Sequence, residues 1–206
     1  MSRMRGALLT ALLASFSAPV ALAQDGVLKP KVLWPTSWRT YHSRTYCYTI
    51  KLPFSGAELD TTDSAIVRVK ITRARDPVTA RDVAVSWVFV VTATPNPAGL
   101  KPDRWLEPGS GAPDASAGIP HVVEILKRRN LPLADRKASF KQVEGAGQRM
   151  DAYFVAHDGY MYGVSHTALD LEHQALLKSY RTTFEWLLDN FEIADPSTCR
   201  VAGAGP

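Results

Sequence analysis

The sequence predicts an α+β fold, a mostly antiparallel sheet of about six strands covered by a long C-terminal helix and shorter helices. Three features predict it. Asp158-Gly159 sits between two aromatic-rich runs and marks a tight hairpin. Apolar residues from Leu176 to Phe191 recur at three- and four-residue spacing, as on one face of a helix. In the first half, short runs either alternate polar with apolar or are apolar throughout, as strands do.

The chain opens with a segment that belongs to export rather than to the fold. Arg3 and Arg5 precede an apolar run from Ala7 to Leu13, and Ala21-Leu22-Ala23 offers small residues where a signal peptide is cut. Residues 1–23 are expected to be removed, with no membrane span left after cleavage and a periplasmic or secreted destination. Removing 23 of the 206 residues leaves 183, the size of one globular domain over residues 24–206. Two of the 24 basic residues leave with the signal, so the mature chain is nearly balanced against its 20 acidic residues. That balance gives no reason to expect nucleic acid as a partner.

Trp34, Trp38 and Tyr41 fall at i, i+4 and i+7 behind Pro35, which predicts a short helix with an aromatic stripe. With Arg39, His42 and Arg44 interleaved, this is also a candidate binding patch for a glycan or a partner. Tyr46 to Leu52 and Ala65 to Thr72 alternate and read as half-buried strands, while Val83 to Thr92 is nearly all apolar and reads as an interior strand. Residues 93–118 are rich in proline and glycine and read as a long loop, in which Arg104 and Trp105 are the candidate binding residues. Pro120 is expected to open a short helix whose last turn carries Lys127, Arg128 and Arg129. With Arg136, Lys137 and Lys141 these could form a basic patch for an anionic surface.

A strand over Ala138 to Glu144 and the turn Gly145-Ala146-Gly147 lead into the hairpin, where His157 should face Tyr160, Val155 Tyr162 and Tyr153 Val164. The long helix is expected from about Asp170, with Thr167 and Asp170 in capping-box spacing and Pro196 limiting its extent. Tyr180, Phe184 and Leu188 should lie on the sheet. Cys47 and Cys199 are the only cysteines and, in an exported chain, are expected to bond to each other.

No motif supplies chemistry. His166 and His173 bracket Asp170 and Glu172 without a zinc signature, and Gly163-Val164-Ser165-His166 lacks the closing glycine of a nucleophile elbow. No catalytic residue, metal ligand or cofactor is therefore predicted. A hydrolase would need His42, His157 or His166 beside a buried acid in a cleft.

The run DAYFVAHDGYMYGVSH followed by a helix ending FEWLLDNFEI resembles the PsbP/DcrB-like proteins. That resemblance implies an antiparallel sheet sandwiched by helices and an exported or peripheral accessory role, with no shared catalytic residues to place on this chain. The expected function is a non-enzymatic accessory or inhibitory module acting on a protein partner in the cell envelope. The alternative is a protein that binds a glycan or small molecule through Trp34, Trp38, Tyr41 or Trp105.

Overall fold

Strand β5 (Asp82–Pro95), the longest described, is flanked by β4 (Ile66–Arg75) and β9 (Tyr160–Ala168). The structure, a computed structural model, describes residues 38–53, 58–63, 65–75, 79, 81–111, 119, 123–168, 174–195, 197 and 199. Residues 1–23, expected to be a signal, and Trp34, Asp170, His173 and the end of the proline-rich loop lie outside the described residues. Around β5 the larger sheet continues through β3 (Glu58–Asp60) on one side. On the other it continues through β8 (Gln148–His157), β7 (Arg136–Gly145) and β6 (Val123–Leu133). Every pairing in this seven-stranded sheet is antiparallel. A second, three-stranded sheet is formed by β1 (Trp38–Ser43), β2 (Tyr48–Pro53) and β10 (Glu192–Ile193). The helices among the described residues are α1 (Pro102–Trp105) and α2 (Gln174–Asp189).

This corrects the predicted architecture of about six strands under a long helix with shorter helices. Ten strands in two sheets are described, α1 is a single turn, and α2 spans only 16 residues. The stretch expected as a helix through Tyr41 is strand β1, zipped in register from Trp38↔Pro53 to Ser43↔Tyr48. The stretch expected as a helix after Pro120 is β6, paired along its length with β7. The loop expected over 93–118 begins later, since β5 keeps pairing with β9 as far as Pro95↔Tyr160.

The main core lies on one face of the larger sheet. Val67, Val69 and Ile71 of β4, Trp87, Phe89 and Val91 of β5, and Tyr162 and Val164 of β9 are buried there. Period-two alternation puts each set on one side. Two elements together close this face: Tyr180, Phe184 and Leu187 of α2, and Tyr48, Ile50 and Leu52 of β2. Tyr180 stacks on Trp87 with ring centroids 5.2 Å apart, and Phe184 meets Phe89 edge-on at 6.0 Å. The three-stranded sheet thus takes over part of the cover that the sequence had assigned to the helix. On the opposite face Val143, Met150, Ala152, Phe154 and Met161 form a smaller core beneath Trp105.

The hairpin is the element whose details match residue for residue. Its observed register is His157↔Tyr160, Val155↔Tyr162 and Tyr153↔Val164. Asp158 (φ 45°) and Gly159 (φ 74°) both take the left-handed conformation that a two-residue turn requires.

Candidate functional site

The candidate residues from the sequence do not converge. Cys47 and Cys199 are joined in a disulfide with Cα atoms 5.5 Å apart, tying the start of β2 to the segment after β10. Trp34 lies outside the described residues and Trp38 begins β1. Tyr41 is half-buried, with its ring 6.1 Å from that of Tyr48. The helical spacing that joined these aromatics into one stripe is lost, because positions three apart on a strand do not share a face. Trp105 is 7% exposed and packs on the smaller core. Arg104 is exposed and bonds Glu107 at 2.8 Å.

A polar cluster that the sequence did not reveal lies inside the main core. Asp151 on β8 faces His166 on β9 as a direct cross-strand pair, with Oδ2 and Nε2 3.4 Å apart. The Gln142 amide donates to Asp151 Oδ1 at 2.7 Å, and the Trp87 indole N–H donates to His166 Nδ1 at 2.9 Å. With Nδ1 accepting, the ring proton belongs on Nε2, directed at the carboxylate. At 3.4 Å this contact is electrostatic and long for a hydrogen bond. Burial pushes the Asp151 carboxyl up, but His166, the Gln142 amide and Arg149 more than reverse this and leave it below its ordinary range. A histidine beside a buried acid is what a hydrolase would need. His166 is only 4% exposed and Asp151 7%, however, with the Phe184 ring 4.3 Å from the imidazole. The groups bonded to the pair, an amide and an indole, are not nucleophiles. The cluster links four strands of the sheet, β5, β7, β8 and β9, from within.

The exposed chemistry lies at the sheet's edge. The hairpin of β6 and β7 carries Lys127, Arg128, Arg129, Arg136, Lys137 and Lys141 against Glu124, Asp135 and Glu144. The excess of three positive charges is close to that of the whole chain, +4. The sequence had placed these cations on a helix turn and a separate strand; the fold sets them side by side. Lys127 pairs directly across from Lys141. Arg129 reaches Asp103 at 3.7 Å and Glu107 at 4.0 Å, and Lys127 Nζ donates to the Leu106 carbonyl at 3.3 Å. At the start of β6, Val123 is 59% and Ile125 49% exposed, the two most exposed large apolar side chains described. No strand among the described residues pairs with the outer side of β6.

No family model matches the chain, and no curated protein matches it in sequence. Among solved structures it is similar to the Saccharomyces cerevisiae Ran-binding protein Mog1p, at 8% identity and a TM-score of 0.47, over 78% of this chain and 97% of that one. It is also similar to cyanobacterial PsbP from a Synechocystis species, at 11% identity and a TM-score of 0.45, over 78% of this chain and 94% of that one.

Proposed function

We propose that the protein is an exported, non-enzymatic accessory or inhibitory module that binds an acidic surface of a protein partner through the β6–β7 hairpin. The observation that carries this reading is the concentration of six cations and two exposed apolar residues on one edge hairpin. Apolar contacts ringed by charge are the usual composition of a protein interface, and the cations ask for carboxylates. A second copy of this chain is the wrong occupant. Lys127–Arg129 lie at the middle of β6, so a two-fold antiparallel pairing would set the two basic runs against each other. Export is supported by the basic and apolar leader at residues 3–13 and by the disulfide, which belongs to an oxidising compartment.

The test is photo-crosslinking in the envelope fraction from a photoreactive residue at Ile125, with a probe at exposed Thr62 as control. An adduct to an acidic protein is expected. It should vanish in the Lys127→Glu, Lys137→Glu, Lys141→Glu triple variant and in about 1 M salt, where the screening length falls to about 3 Å. An adduct that survives the charge reversal, or one no stronger than from position 62, overturns the reading.

A further inference from the structure

A second site lies where the two sheets meet. A cleft of about 280 Å³ has Thr49, Glu192, Ile193 and Ala194 on the side of the small sheet. The turn of the β6–β7 hairpin, Ala134, Asp135 and Arg136, forms the other side. The volume suits one small molecule rather than a drug-sized ligand.

Its charges are arranged unusually. Glu192 and Arg136 line the same cleft with opposite charge, yet neither forms an ion pair with the other or with any other described residue. Each is instead held by its own neighbours. Thr49 Oγ1 donates to Glu192 Oε2 at 3.3 Å. Arg136 Nη1 donates to the Ala134 carbonyl at 3.0 Å, and its Nη2 lies 3.3 Å from His157 Nε2. Burial, and then the Arg136 charge, push the His157 imidazole below its ordinary value, so Arg136 is the cation available at neutral pH. A simple anion would satisfy Arg136 and be opposed by Glu192 and Asp135, and a simple cation would satisfy the two carboxylates and be opposed by Arg136. A ligand with both charges satisfies both.

The backbone around the cleft is also specialised. Ala134 (φ 49°) and Asp135 (φ 57°) take the left-handed conformation without a glycine, whereas the β7–β8 and β8–β9 turns place Gly147 and Gly159 at their second positions. Strain of this kind gathers at binding sites, where the surrounding structure holds it. The facing wall is anchored by the Ala194 N–H, which donates to the Cys47 carbonyl at 2.8 Å, next to the disulfide to Cys199.

We propose that this cleft binds a free α-amino acid, its carboxylate on Arg136, its ammonium on Glu192 and Asp135, and its side chain against Ile193 and Ala194. The site is independent of the docking edge, although Arg136 belongs to the same hairpin.

The test uses the mature full-length protein and amide NMR titrations with glycine, leucine, phenylalanine, glutamate and lysine. Leucinamide lacks the carboxylate and N-acetyl-leucine lacks the ammonium, so they serve as paired controls. At least one amino acid should give saturable shifts at Thr49, Ala134–Arg136 and Ile193–Ala194. Each blocked analogue should bind about tenfold or more weakly, the loss of one charge-assisted contact. Glu192→Gln, an exposed and isosteric change, and Ala194→Leu, which fills the cleft, should each remove the shifts. Lys127→Glu with Lys141→Glu should leave them intact, which separates this site from the docking edge. No saturable shift with any of the five amino acids overturns the proposal, as does leucinamide or N-acetyl-leucine binding as tightly as leucine.

Discussion

Replacing Asp151 by asparagine tests how the buried polar cluster contributes to stability. The substitution keeps the volume and an oxygen for the Gln142 amide, but it sets an N–H₂ group or a neutral carbonyl against the Nε2–H of His166. Two magnitudes compete. If the pair were a buried carboxylate and imidazolium, removing one charge would leave the other uncompensated and cost about 3–5 kcal/mol. The Trp87 N–H bonded to Nδ1 argues that the ring is neutral, so the loss is that of the carboxylate charge from the Gln142 bond and from the Nε2–H contact, about 1.5–3 kcal/mol. The pH dependence separates the cases further. The Asp151 carboxyl is held below its ordinary value of 3.8, so the stabilisation it brings is complete above that value and is lost as pH falls through the lower folded value. Urea denaturation of wild type and Asp151→Asn should show a constant gap from about pH 8 to 5 that narrows in stronger acid. A gap above about 4 kcal/mol at neutral pH, or one that widens on acidification, refutes the neutral-imidazole reasoning.

Three other substitutions probe the frame. Cys47→Ser with Cys199→Ser opens a loop of sequence separation 152 and should lower the unfolding free energy by up to about 5 kcal/mol, read by urea titration with and without reductant. Gly163→Ala places a Cβ 2.7 Å from Thr92 Oγ1 and 3.3 Å from the Phe154 ring, so overpacking of about 1–3 kcal/mol should appear as a lowered midpoint with unchanged slope. Phe184→Ala removes a buried ring that meets Phe89, Tyr153 and His166, and should cost about 3–5 kcal/mol in the same assay.

Legibility from sequence followed the regularity of the local pattern. β2 and the part of β4 before its irregularity between Ile71 and Arg73 alternate regularly, and their buried residues Tyr48, Ile50, Leu52, Val67, Val69 and Ile71 are those the alternation indicates. The Asp158-Gly159 turn fixed the hairpin register because turn chemistry is local. β6 was hidden for a stated physical reason. It carries irregularities between Glu124 and Leu126 and between Arg128 and Leu131, with Asn130 at φ 57°. Each shifts the inward side of the strand, so Leu126 and Leu131 are five residues apart, out of step with a period of two, and the earlier apolar residues mimic a helix. β1 was hidden because it is an edge strand, specified by pairing with β2 rather than by its own composition. The Asp151–His166 pairing follows from that same hairpin register, but its partners do not: Gln142 and Trp87 arrive from β7 and β5, whose registers no local turn signal sets.

The same irregularities bear on what the edge is for. A long exposed edge strand invites indiscriminate pairing, and bulges, lysines and a proline are the devices that suppress it. β6 has two irregularities, Lys127 followed by two arginines, and Pro132 near its end. Lys127 across from Lys141 goes further, because like charges directly opposed weaken the strand pairing itself. Among the described residues neither lysine has a carboxylate within ion-pair distance, and the exposed contacts of Arg129 at 3.7 and 4.0 Å offset little. Protection alone needs no such repulsion inside the hairpin. Carboxylates arriving from a partner would relieve it, so binding at this edge should tighten as salt is lowered and should make the hairpin amides slower to exchange with solvent.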